Sequence, residues 1–222
     1  MSSKLVQQAI KLISITLFVV SGSVNATIIF SDQSAFDAQL SSSITDDYSN
    51  PGYVFIQDDI TMSAVLGETD YMATRFTNTN IVQAGLFYCA GCNGSFELGF
   101  STTSLGTSNG IFGVGIDIRS NSSSLPYDAF VTFGDNSSLS IDLGTGARFF
   151  GISSSSLIKS IHFGTGDGSG TTTSGSGYFE ISNLTIGNNV NSVPAPGSLA
   201  LLALGFMGLA FNNIRRRRQL RK

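Results

Sequence analysis

Apolar and polar residues alternate along most of this chain, and the alternation predicts strands. In Ile111–Arg119, Phe112, Val114, Ile116 and Ile118 share one face while Gly113, Gly115, Asp117 and Arg119 share the other. Ala129, Val131 and Phe133 line one face ahead of Gly134-Asp135-Asn136, a turn leading into Leu139, Ile141 and Leu143. Leu157, Ile161 and Phe163 mark a further strand, and Phe179–Ile186 forms the last. Segments at 53–57, 60–66, 72–76, 85–88 and 94–100 read as additional short strands. A single helical turn is expected near the start, where Ser31 or Asp32 caps a stretch bearing Phe36 and Leu40. Eight or more short strands with Gly and Asn turns predict an all-β fold, a single sandwich of jelly-roll type. The Gly-, Thr- and Ser-rich tract from Gly164 to Gly177 reads as a flexible loop between the last two strands.

Two unbroken apolar runs stand outside this pattern, one at each end. Lys4 and Lys11 accompany the run Leu12–Val20, and Val24-Asn25-Ala26 supplies small residues for cleavage. That is the layout of a signal peptide removed after Ala26, and it predicts handling by the Sec export machinery. An N-terminal anchor is the competing reading, but the run is short and Ser21, Gly22 and Ser23 follow it. Leu199–Phe211 is apolar on every face, unlike the amphipathic helix of a soluble core. Taken from Ala195 to Ile214, with Arg215 reaching back to the interface, it is long enough to cross a bilayer. The basic cluster Arg215, Arg216, Arg217, Arg218, Arg221 and Lys222 would stay on the cytoplasmic side. In front of the run, Val193-Pro194-Ala195-Pro196 is held extended and accessible by its prolines. The expected plan is a signal at 1–26, one body at 27–187, a linker at 188–192 and a sorting tail at 193–222.

Removing both ends changes the charge. The whole chain carries −3, with 12 Lys plus Arg against 15 Asp plus Glu. Only Arg75, Arg119, Arg148 and Lys159 belong to the body, and every acidic residue lies between Asp32 and Glu180. Four cations against fifteen carboxylates leave the body near −11, which argues against nucleic acid and anionic membrane surfaces as its partners. No Trp, 25 Gly and 17 Phe fit a β-rich secreted module better than a helical one.

The tail resembles the PEP-CTERM sorting signal of bacteria that secrete exopolysaccharide. That signal has a Val-Pro-Glu-Pro box, a short transmembrane helix and a terminal Arg cluster, in this order. The resemblance implies recognition by an exosortase, which cuts near the box and passes the protein to the surface. Pro194 and Pro196 match the two prolines, whereas Ala195 stands where the family usually has Glu. Transient anchoring in the inner membrane, then a place at the cell surface or in the polysaccharide matrix, is what this implies. Arg148-Phe149-Phe150-Gly151-Ile152, Ile158–Phe163 and Phe179-Glu180-Ile181-Ser182-Asn183-Leu184-Thr185-Ile186 resemble the end of many such ectodomains. Those look like lectin-type sandwiches, so a carbohydrate-binding module is the alternative function.

The body offers few candidates for chemistry. Cys89-Ala90-Gly91-Cys92 admits a redox pair, half a zinc site or a structural disulfide. Zinc wants about four ligands, and the chain has two Cys and one His. Export to an oxidising compartment favours the disulfide. His162, the one histidine, alternates with Ile158 and Ser160, opposite Leu157, Ile161 and Phe163. It reads as a polar residue of a sheet face rather than a general base, since no nucleophile motif accompanies it. No catalytic residue is assigned. A secreted glycan hydrolase stays open because paired carboxylates leave no fixed spacing. No cofactor is expected. Asp46-Asp47, Asp58-Asp59 and Gly164-Thr165-Gly166-Asp167-Gly168 are the places where calcium would find oxygen ligands, with a solvated acidic surface as the plainer reading. Tyr48, Tyr53, Tyr71, Tyr88 and Tyr127 are the candidates for an aromatic surface against sugars.

Overall fold

A 19-residue strand, β11 (Arg148–Gly166), is the spine of the molecule. The computed structural model describes residues 26–120, 127–166, 169–175 and 179–189. The expected signal peptide up to Asn25, the sorting box, the membrane helix and the basic tail, together with Asp167, lie outside the described residues. Among the described residues no helix is long and apolar enough to cross a membrane.

The first half of β11 pairs on one side with β8 (Ile111–Ser120) and on the other with β1 (Thr27–Phe30). Beyond β8 come β13 (Phe179–Asn189) and then β2 (Leu40–Asp46). Its second half pairs with β9 (Tyr127–Phe133), which carries β10 (Ser138–Gly144). On its other side lies β7 (Phe96–Gly99), followed by β4 (Asp70–Ala73). A smaller wing of β6 (Phe87–Ala90), β5 (Asn80–Gln83) and β3 (Ile56–Gln57) joins β13 through Ile181 and Tyr88. All are antiparallel, and the hydrogen bonds run through one continuous 13-stranded sheet.

The fold is all-β, as the alternation predicts, and the sheet packs on itself. Phe179 of β13 stacks on Phe163 of β11 at 5.6 Å and on Tyr127 of β9 at 4.4 Å. Neither strand is hydrogen-bonded to β13, so these contacts join two layers across the core. The layers are connected because β11 changes layer midway. Leu157 adopts φ +59°, its carbonyl and that of Ser156 both accept from Gly134 N, and the register against β9 shifts between Ile158 and Ser160. This bulge corrects the expected faces of β11. Ile158, Ile161 and Phe163 are buried, whereas Leu157 is only half-buried, because one extra residue reverses the alternation there.

On β8 the expected inner face holds for Val114, Ile116 and Ile118, which are buried. The opposite face is covered too. Helix α1 (Gln33–Asp37) is capped by Asp32, whose carboxylate accepts from Ala35 N at 2.8 Å, and drops Phe36 onto the sheet. Gly113, Gly115 and Gly151 form the floor beneath that ring; a Cβ at Gly115 would lie 2.6 Å from it. Leu40 belongs to β2 rather than to the helix, and packs over Gly113 and Gly187.

Residues 60–66 correct a second expectation. Their apolar alternation reads as a strand, yet Asp59–Ala64 is a helix, α2. Asp58 caps it by accepting from Thr61 N and Thr61 Oγ1, both at 2.8 Å, and Met62 turns into the core while Ile60 stays 82% exposed. Local capping here outweighs a weak period-2 pattern. Strands β1, β2 and β5 are not anticipated by the alternation. The Gly164–Gly177 tract is partly ordered as strand: β11 runs to Gly166, and β12 (Thr172–Thr173) pairs back on it. Strand β13 likewise continues to Asn189, two residues into the stretch read as linker.

Candidate functional site

Helix α2 lies along the free edge of β4 and closes it. Tyr71 N donates to Ser63 Oγ at 2.8 Å and Ala73 N to Asp59 Oδ1 at 3.1 Å, so α2 satisfies groups that a bare edge strand would expose. Asp59 Oδ1 also accepts from Asn80 Nδ2 at 2.7 Å. Between helix and strand a cleft of about 520 Å3 opens, lined among others by Asp59, Ile60, Ser63, Asp70, Met72 and Thr102. Its two carboxylates both have structural partners, since Asp70 Oδ2 accepts from Thr102 Oγ1 at 3.1 Å. Ile60 and Met72 give it an exposed apolar wall.

The tyrosines expected at the surface are core residues instead. Tyr48, Tyr71, Tyr88 and Tyr127 are at most 4% exposed and Tyr53 is 9% exposed. Three of them meet Asp46. Its carboxylate accepts from the hydroxyls of Tyr53 and Tyr71, the latter at 3.1 Å, and from Tyr48 N at 2.9 Å. The hydroxyls of Tyr71 and Tyr48 lie 3.3 Å apart, and Tyr88 donates to Asn80 at 2.8 Å. Burial pushes the Asp46 carboxyl up from its ordinary value, against the pull of these three donors. Tyr48 sits at φ +58°, a conformation unfavourable for a bulky residue, held by the hydrogen bond of its own N–H to Asp46. The sequence carries no sign of this cluster, because an alternating Tyr reads equally well on either face.

The acidic doublets divide their work. Asp46 is buried, Asp47 holds Ser49 at 2.9 Å, Asp58 caps α2 and Asp59 ties β4 to Asn80. Among the described residues no three His, Cys, Asp or Glu side chains gather as a metal-binding group. Cys89 and Cys92 form the expected disulfide, with Cα atoms 4.7 Å apart in a tight turn at the end of β6. A loop this short restrains the unfolded chain by about 2 kcal/mol, so the bridge shapes the turn more than it holds the fold.

His162 faces β7, where Glu97 is its cross-strand partner. Thr74 Oγ1 donates to Ser95 Oγ at 2.8 Å and lies 3.0 Å from His162 Nε2, which places the ring proton on Nε2. Nδ1 then accepts from Thr172 Oγ1, so the ring fastens β12 to the sheet. No residue of this group lines the cleft. Burial lowers the His162 pKa, partly offset by Glu97. The fold therefore prefers the neutral ring: its contribution is complete above the ordinary value of 6.5 and is lost as pH falls through the lowered folded value. Urea unfolding at pH 7.5 and 5.5 is expected to show a falling midpoint that flattens in His162→Gln; an equal fall in the variant would contradict this assignment.

The residues that decide the chain's destination lie outside this body. Pro194 and Pro196, the apolar run Leu199–Phe211 and the arginines from Arg215 follow one another directly. Residues 192–217 match the PEP-CTERM protein-sorting motif. This motif implies an exosortase-sorted protein delivered to the cell surface or the extracellular space. The match spans Val193, Pro194, Ala195 and Pro196 and the first three arginines, and does not reach into the β-rich body. No curated protein and no solved structure matches this chain.

Proposed function

We propose that the chain is a bacterial surface or extracellular-matrix protein, processed by an exosortase and associated with exopolysaccharide. The PEP-CTERM motif at 192–217 carries this reading. The Sec machinery takes the chain across after the signal, which is removed at Ala26. The segment 195–214 then stops in the inner membrane with Arg215–Arg218, Arg221 and Lys222 inside. Exosortase cuts near Val193–Pro196 and the acidic β-rich body is displayed or released. Its role is passive: Asp59 and Asp70 of the cleft are tied into structural bonds, which supports a non-enzymatic body without a cofactor. A lectin-like role has less support, since the tyrosines that would stack on sugars are buried.

The test is localisation of an epitope-tagged chain with and without residues 194–222. The full chain is expected to reach the surface in a shortened form, and the truncated chain to lose surface delivery. Unchanged delivery of the truncated form sinks the reading. Ala195→Glu restores the usual box and is expected to speed the appearance of the shortened form if the carboxylate is a recognition contact.

A further inference from the structure

Both ends of the body leave the same rim of the sheet. One register row reads Ile28 on β1, Ser153 on β11, Gly113 on β8, Gly187 on β13 and Ser43 on β2. Strand β1 enters at this row and β13 exits just past it. Ala26 is already pinned there, its N–H donating to Ser155 Oγ at 3.1 Å and its carbonyl accepting from Ser155 N at 3.2 Å. Asn189 pairs with Leu40 on the same rim. From β1 to β13 are three strand spacings, about 14 Å.

Each end continues directly into an apolar run. The signal run precedes Ala26, and four residues, Val190 to Val193, separate Asn189 from Pro194. Five backbone steps reach at most about 17 Å however they are arranged. Strand β8, with 10 residues, is about 33 Å long, so the opposite end of the body lies well beyond that tether. Arg119 and Arg148 sit toward that opposite end, where Arg148 pairs with Ile118 and Arg119 with Glu180. The rim presents the hydroxyl and amide side chains of Ser42, Ser43, Ser155 and Asn188, with the exposed Ile28 in the same row.

We propose that this rim faces the bilayer during export, held there by two tethers about 14 Å apart. The proposal rests on the export reading above and adds to it an orientation. The body folds upright on the membrane, the sorting box stays within one short tether of the sheet, and the Arg119–Arg148 end points away. Orientation comes from the two attachment points rather than from charge, because Arg119 and Arg148 are on the far side. Signal cleavage releases one tether and sorting cleavage the other.

The experiment uses the full chain of 222 residues, inserted during translation into phosphatidylethanolamine–phosphatidylglycerol vesicles that carry a headgroup-linked quencher. A fluorescent maleimide is placed at Ser42→Cys on the rim or at Thr145→Cys at the far end, without reductant so that Cys89–Cys92 stays closed. Quenching at Ser42 is expected to exceed that at Thr145 several-fold. Equal quenching, or stronger quenching at Thr145, overturns the proposal. A chain that fails to float with the vesicles overturns it as well and removes the membrane stop itself. Unchanged surface delivery of the chain lacking residues 194–222, with rim quenching intact, would instead overturn the sorting reading alone.

Discussion

Asp46→Ala is expected to destabilise the body by about 3–4 kcal/mol, because it strands several buried donors at once. Asp46 is 6% exposed and accepts from Tyr53, Tyr71 and Tyr48 N. Removing the carboxylate leaves two phenol hydroxyls and one amide without this acceptor, and frees Tyr48 from the bond that offsets its positive φ. Asp46→Asn keeps one acceptor and the same volume, so its cost is expected to be roughly half as large. The pH dependence separates packing from charge. Burial raises the folded pKa above the ordinary 3.8, so the protonated acid is the form the fold prefers. Its contribution is complete below the unfolded value and is lost as pH rises through the raised folded value. Urea midpoints measured through that window should therefore fall with rising pH in the wild type more than in Asp46→Asn. His162 acts in the opposite sense at higher pH, so the comparison is made between variants at each pH. A variant with unaltered stability and pH profile would show that the tyrosine cluster does not depend on Asp46.

The second large effect is expected at Phe36. This ring is fully buried, meets Phe30 at 5.7 Å and Phe149 at 5.8 Å, and rests on Gly113, Gly115 and Gly151. Phe36→Ala removes the ring that rests on all three glycines, a loss of about 3–5 kcal/mol. At about 2–4 °C per kcal/mol for a body of this size, the melting temperature should drop by roughly 10 °C. Gly115→Ala attacks the same contact from below, since its Cβ would lie 2.6 Å from the ring. Alone it should destabilise; in a Phe36→Ala background it should cost clearly less, because the closest clash is gone, glycine's extra chain entropy is removed and only Phe149, 3.0 Å from the new Cβ, must give way. Additive effects in this double-mutant cycle would show that Phe36 and the glycine floor are not one unit.

Much of the strand inventory is legible in the chain. Val114, Ile116 and Ile118, and likewise Ala129, Val131 and Phe133, are spaced by two and buried on one face. Asp32 announces α1 as a capping residue. The misses have local causes. At 60–66 an apolar alternation and a capped helix compete over seven residues, too few for periodicity to decide. At Leu157 a single positive φ reverses the faces of everything before it in the strand, and no residue type marks the bulge, since Leu is a poor choice for that conformation. The tyrosines look like sugar platforms until the fold buries them and brings Tyr48, Tyr53 and Tyr71 to one carboxylate.

Order along the chain is enough for the address: contiguous signals such as Val193–Pro196, the apolar run and the arginines need no fold to be read. It also determined that the body is β-rich, because alternation is a property of neighbours. Tertiary structure alone decided which residues meet across the chain. Asp46 finds Tyr71, 25 residues away, Phe36 finds its glycine floor on two strands, and Ala26 lands beside Ser155, 129 residues on. These contacts depend on strand pairing and register, which a period-2 pattern leaves free. The common rim from which both ends leave belongs to the same class: each end is written in the sequence, and only the sheet puts them side by side.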